Sequence, residues 1–361
     1  MWILLSLACS ADPAALPAED AVYPVGVRTE AWGGRALEVW YPATATDGEP
    51  EVVDFAAYVP ESVVAVLGPV TFPPIPTVAA RDAPLAAGDG PYPVIAFSHG
   101  LGGSRLQSPT FATTLAARGY VVVATDHPGR TLADLTPCLF SPALEGCDLG
   151  AALAESGAPD LTLLADWAED AAVTGWLAGA IDPGKLGAAG HSLGGFSVTT
   201  AGDADDRFRA LLPMAGANAV IRDVPTLVVG GTCDGVAPID LLATAGAGSA
   251  DAQVLTLAGA GHLAYSDMCT VRFDTFYADH LAGRDDLSEL TVGMFLALAD
   301  DGCPTRAPAP GLCAEDAYLE LERSAEILAH YAVGFFDAHL RDGGPLTAGV
   351  FAEATLSAGG G

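Results

Sequence analysis

From residue 92 onward the chain alternates short, unbroken apolar runs with longer amphipathic stretches. The runs are Val94–Phe97, Val121–Ala124, Leu186–Ala189, Ala210–Met214, Thr226–Val229 and Val254–Leu257. None shows the polar alternation of a strand with one wet face, so each reads as a strand buried on both sides. Thr110–Arg118 and Leu161–Ala180 are helix-compatible, and so is the run after Ser192. Apolar strands separated by helices predict an α/β class: a doubly wound, mostly parallel sheet with helices on both faces. Ahead of this region, Val22–Ala31 and Ala36–Tyr41 read as strands joined by a Gly33-Gly34 hairpin turn. A final helix over Ala314–Leu340 presents Leu319, Leu321, Ile327, Leu328, Tyr331, Phe335 and Phe336 as an apolar face.

Two stretches break the pattern. Residues 43–91 are irregular and rich in Pro, Gly and Ala, with room for a helix at Ser62–Leu67; residues 263–312 are a second insertion, with a helix at Leu287–Leu298. The expected organisation is a leader over 1–21, one domain over 22–342 carrying both insertions, and a flexible tail over 343–361.

Composition narrows the function. The chain has 361 residues, 51% of them hydrophobic, enough for one large core. Its 45 acidic residues outnumber the 15 basic ones for a net charge of −30. Binding nucleic acid depends on neutralising phosphates with Lys and Arg, so that partner class is excluded. The acidity reads as a solubilising surface.

Residues 2–8 form an apolar run ending at Cys9, too short to span a bilayer and suited to the core of an export signal. The Leu-Ala-Cys-Ser ending is similar to a bacterial lipoprotein processing site, although no Lys or Arg precedes the run and Ser6 stands where Leu is usual. Cys9 is therefore a lipidation candidate, and the expected location is the bacterial envelope or the secreted fraction. Six further cysteines, Cys138, Cys147, Cys233, Cys269, Cys303 and Cys313, fall into three sequence-local pairs, which suits an oxidising compartment. No Cys-x-x-Cys or zinc-spaced Cys/His cluster occurs, so no metal is implied. Nothing in the sequence indicates an oligomeric state.

The chemistry centres on Gly190-His191-Ser192-Leu193-Gly194-Gly195, a G-x-S-x-G pattern between a strand and a helix. A serine at the tip of so tight a turn stands exposed, and its small neighbours leave room for the strained backbone. In a chain with 42 glycines the motif is not specific alone. Its context is. After Val94–Phe97 comes Ser98-His99-Gly100-Leu101-Gly102-Gly103, a glycine-rich turn whose Leu101 N–H, with that of Leu193, suits an oxyanion hole. After Thr226–Val229 comes Asp234, and after Val254–Leu257 comes His262. Ser192, Asp234, His262 is the order of a nucleophile, an acid and a base placed at the carboxyl edge of such a sheet. Asp240 and Asp267 are the poorer acid candidates. His191 reads as structural, pointing away from the pocket. His99 and His127 read as loop hydrogen-bonding residues, and His280, His330 and His339 as surface residues.

The runs FSHGLGGSR, GYVVVATDHPG, GHSLGG, the turn to Asp234 and GAGH, with the opening LEVWYPA, resemble one branch of the α/β-hydrolases. It is the platelet-activating-factor acetylhydrolase and dienelactone-hydrolase-like branch, to which polyester-degrading cutinases are structurally related. The resemblance covers about residues 22–270 and the last helix. It implies the α/β-hydrolase fold and hydrolysis of carboxylic esters with short or polar acyl groups, without a cofactor. Dienelactone hydrolases proper use a cysteine nucleophile, and here the position is Ser192. The leading expectation is a serine esterase acting on small-molecule or lipid esters. The alternatives are an acetylhydrolase-type phospholipase at lipid surfaces and a catalytically silent binding protein on the same fold. Because Asp234 must reach His262, Cys233 and Cys269 are expected to bridge their loops, a clamp that resembles one in the cutinases. Cys138–Cys147 and Cys303–Cys313 would each staple one loop.

Overall fold

The computed structural model describes residues 23–45, 49–61, 64–65, 68–135, 157–246, 252–271 and 318–359. Cys9, Cys138, Cys147, Cys303, Cys313, His280, the leader and the Leu287–Leu298 helix lie outside the described residues, as does part of Ser62–Leu67.

The strands, in chain order, are β1 (Val25–Trp32), β2 (Arg35–Pro42), β3 (Pro50–Val53), β4 (Ile75–Arg81), β5 (Tyr92–Ser98), β6 (Val121–Thr125), β7 (Ile181–His191), β8 (Phe208–Met214), β9 (Thr226–Gly231), β10 (Ala252–Leu257) and β11 (Ala354–Ala358). They form one sheet in the order β11-β10-β9-β8-β7-β5-β6-β2-β1-β4-β3. The stretch from β10 to β6 is parallel throughout, the predicted core of the fold. Antiparallel pairs flank it on both sides, β2 on β6 and β11 on β10.

The described helices are α1 (Pro109–Ala117), α2 (Ala158–Val173), α3 (Leu193–Ala204), α4 (Ile239–Gly246) and α5 (Leu321–Leu340). The double winding is visible in β5. Ile95 and Phe97 pack with Phe111 and Leu115 of α1 and with Ile327 and Tyr331 of α5. Val94 and Ala96 pack on the other face with Leu161 and Leu164 of α2 and Val198 of α3. Successive side chains leave opposite faces of a strand, so a strand covered on both sides must be apolar at every position. That is why the run carries no polar alternation.

Four details depart from the sequence reading. The 43–91 insertion is not all irregular: β4 pairs in parallel with β1, and β3 lies antiparallel on β4 at the sheet edge. The tail expected to be flexible over 343–361 contains β11, which pairs with β10 over five residues. The domain therefore extends past residue 342. Helix α2 ends at Val173 rather than Ala180, because Thr174 is extended and Gly175 takes a left-handed φ of 70°, the usual stop signal. Helix α5 begins at Leu321, not Ala314. The hairpin turn matches its reading, with Gly33 and Gly34 at φ 56° and 77°.

Candidate active site

The candidate residues converge at the carboxyl ends of β5, β7, β9 and β10. Strand β7 ends at His191 and α3 begins at Leu193, leaving Ser192 alone at the turn with φ 57° and ψ −121°. A non-glycine residue there is strained by about 1–3 kcal/mol, and the surroundings must hold it in place. Its N–H donates to Met214 O at 2.8 Å, and its carbonyl accepts from Gly195 N–H at 2.8 Å. Gly194 must lack a side chain, since a Cβ there would sit 2.1 Å from Ser98 O. The elbow is thereby pressed against the end of β5.

Ser192 Oγ lies 2.9 Å from His262 Nε2, and His262 Nδ1 lies 3.0 and 3.1 Å from the two Asp234 oxygens. Asp234 and His262 are buried, while Ser192 keeps a partly open face. Asp234 Oδ1 also accepts the Val236 and Ala237 N–H groups at 3.0 and 2.7 Å, which fixes the carboxylate from below. Neither poorer acid candidate is part of this group. Asp240 is exposed in the first turn of α4. Asp267 is bonded to Thr110 instead.

Leu101 lies on the turn after β5, and Leu193 opens α3. Among the described residues, no acceptor is hydrogen-bonded to either N–H. Gly102 takes φ 73°, and its N–H bonds to Arg130 O at 2.8 Å, which anchors the turn. Gly100 sits directly against Ser192: a Cβ there would be 3.2 Å from Ser192 Cβ. Two N–H donors without an acceptor beside a partly open hydroxyl fit what acyl transfer requires.

The histidines divide as follows. His99 Nε2 accepts the His127 N–H at 3.0 Å, so its Nδ1 carries the hydrogen and donates to Gly100 O at 2.7 Å. His127 lies between half-buried Asp160 (Nδ1 to Oδ2, 2.9 Å) and buried Ser98 (Nε2 to Oγ, 2.7 Å). Burial pushes both imidazoles below their ordinary range, His99 the further. His330 and His339 are exposed. His191 is buried and hydrogen-bonded to Gln107 and to the His262 carbonyl. Gln107 carried no sequence signal, being one polar residue in a loop before a helix.

Cys233 and Cys269 are buried, and both are disulfide-bonded. Cys233 N–H donates to Ala260 O at 3.0 Å, so the Asp234 and His262 loops run side by side.

Comparison with known proteins agrees with this architecture. Residues 23–138 match the family described as platelet-activating factor acetylhydrolase, isoform II. Among solved structures, a ferulic acid esterase from Streptomyces cinnamoneus is similar over 96% of this chain and 98% of its own, with a TM-score of 0.59 and 22% identity. In fold this chain is an α/β-hydrolase, and over residues 23–138 it carries the sequence pattern of the platelet-activating factor acetylhydrolase family.

Proposed function

We propose that the protein hydrolyses carboxylic esters with short or polar acyl groups through an acyl-enzyme on Ser192. The observation carrying this reading is the hydrogen-bonded series from Ser192 Oγ to His262 Nε2 and from His262 Nδ1 to Asp234. His262 takes the Ser192 proton as Oγ attacks the ester carbonyl, since a serine hydroxyl is a poor nucleophile without a base. Asp234 holds the Nδ1–H tautomer and stabilises the imidazolium that forms. The Leu101 and Leu193 N–H groups receive the developing oxyanion. His262 then returns the proton to the leaving alcohol, and later activates the water that releases the acid. No cofactor enters any step.

Turnover of p-nitrophenyl acetate by the protein and by Ser192→Ala tests the reading. Hydrolysis lost in the variant is the expected result. No hydrolysis by either protein across a series of acyl lengths favours a silent binding protein, and equal hydrolysis by both removes Ser192 as the nucleophile. A second enzyme reading, an acetylhydrolase-type phospholipase, rests on the family match over residues 23–138. It predicts faster turnover of a short-acyl phospholipid in vesicles than of the same ester in monomeric form. Export, with lipid attachment at Cys9, belongs to the same proposal: Cys9→Ser protein should leave the membrane fraction.

A further inference from the structure

Gln107 lies in the loop before α1 and His191 ends β7; both are buried, with 2% exposure each. Gly100 N–H donates to Gln107 Oε1 at 2.8 Å, Gln107 Nε2 meets His191 Nδ1 at 2.8 Å, and His191 Nε2 meets His262 O at 2.7 Å. The partners at the two ends dictate every proton between them. A backbone N–H can only donate, so the amide oxygen faces Gly100. A carbonyl can only accept, so His191 carries its hydrogen on Nε2. His191 Nδ1 is then an acceptor, and the Gln107 NH2 must face it. One tautomer and one amide orientation satisfy all three contacts.

Each end of this series lies at the site. Gly100 immediately precedes Leu101 and packs on Ser192. The His262 carbonyl belongs to the residue whose ring bonds Ser192. The His191 and His262 rings lie 5.1 Å apart between centroids. Burial and the nearby His262 hold His191 down to about 3, so it keeps its neutral, directional form throughout the working range.

We propose that Gln107 and His191 are a positioning pair that fixes the oxyanion turn and the general base in one register, within the ester-hydrolase reading above. Neither side chain touches the reacting atoms. They act by setting where Leu101 N–H and His262 Nε2 stand relative to Ser192 Oγ. Displacements of about 1 Å at such groups can cost on the order of 100-fold in rate.

The test uses the full chain, p-nitrophenyl acetate and a fluorophosphonate that labels an activated serine. His191→Phe removes both hydrogen bonds of the ring, and Gln107→Asn shortens the reach of the amide by one methylene. Each should lower kcat and the labelling rate by about tenfold to 100-fold while KM stays within about twofold. His191→Gln places an amide N–H near the Nε2 position and should recover most of the loss. A purely structural role would instead lower the amount of folded protein and leave kcat per labelled site unchanged, and that result overturns the proposal. So does kcat within about twofold of wild type in both His191→Phe and Gln107→Asn. Ser192→Ala, run alongside, separates the two levels. If it is inactive while these variants are not, only the positioning role fails; if it remains active, the ester-hydrolase reading fails, and the positioning role with it.

Discussion

Asp267 holds Thr110 twice: its carboxylate accepts the Thr110 N–H at 2.9 Å and the Thr110 hydroxyl at 2.5 Å. The segment following His262 is thereby clasped to the first turn of α1, where Ser108 supplies no side-chain cap of its own. Asp267 is half-buried, and the loss of water around its carboxyl raises its pKa to about 6 although the Thr110 bonds pull the other way. A folded-state value above the ordinary carboxylate value favours the protonated form. The stability it contributes is complete below about pH 4 and is lost as the pH rises through 6, a swing of about 3 kcal/mol. Asp267→Asn keeps the shape without the ionisation. Thermal unfolding between pH 4 and 7 should show a steeper loss of stability in the wild type than in this variant. Parallel curves for the two proteins would remove Asp267 as the source.

The proposed catalysis by Ser192, His262 and Asp234 predicts a separate signature for each of the three. Ser192→Ala and His262→Ala should each lower kcat by at least about 10³-fold with the fold intact by circular dichroism. Asp234→Asn should cost about 10⁴-fold, because an amide would hold the wrong tautomer of His262. In the wild type, kcat/KM should fall on acidification, since an imidazolium cannot take the Ser192 proton. A kcat/KM flat from neutral pH to about pH 4 would mean that no histidine acts as base.

The elbow's packing predicts a glycine effect larger than propensity alone gives. An alanine methyl at Gly194 would collide with Ser98 O, and backbone atoms cannot swing away as a side-chain end can. Gly194→Ala should cost about 1–3 kcal/mol and lower kcat, because the relief must push β5 and the turn after it away from Ser192. Gly88→Ala is the control, since nothing lies within 4 Å of a Cβ there. Unfolding curves for both variants decide the matter; equal stability would mean that the elbow yields easily.

Ser192, Asp234 and His262 could be read from the sequence because each follows an apolar run at a sheet edge, where order along the chain becomes proximity in space. The same logic puts Leu101 on the turn that follows β5 and Leu193 at the start of α3, after β7. Gln107 could not be found this way: its partners are Gly100, on the turn after β5, and His191, at the end of β7, and no spacing relates them. The orientation of His191 was hidden for the same reason, since its second bond reaches the His262 backbone from across the sheet. Strand β11 escapes the sequence reading because Ala354–Ala358 is only five residues long and mixes apolar with polar positions; Ala354 and Leu356 reach the core, and pairing with β10 holds the rest. Strand β4 was lost in a proline-rich stretch whose pairing with β1 is long-range.

Cys233 immediately precedes Asp234, and Cys269 lies in the short helical turn Asp267–Val271 that follows His262. The two loops already touch. A Cβ at Gly231 would meet Ala260 O at 2.0 Å and the Tyr265 hydroxyl at 2.8 Å, so nothing separates the acid loop from the histidine loop at this level. Peptide mapping without reductant should recover Cys233 and Cys269 in one linked pair. Closing a loop of a few dozen residues is worth about 4 kcal/mol in the chain-entropy picture, less any strain. Cys233→Ser should therefore lower the melting temperature. It should also lower kcat, because the Asp234 turn and the His262 turn would no longer be fixed to each other. Reductant should reproduce both effects in the wild type and cause a smaller further loss in the variant, where only the expected Cys138–Cys147 and Cys303–Cys313 pairs remain to be broken. A free thiol at either position in protein from an oxidising compartment, or a variant as active and as stable as the wild type, would rule the clamp out.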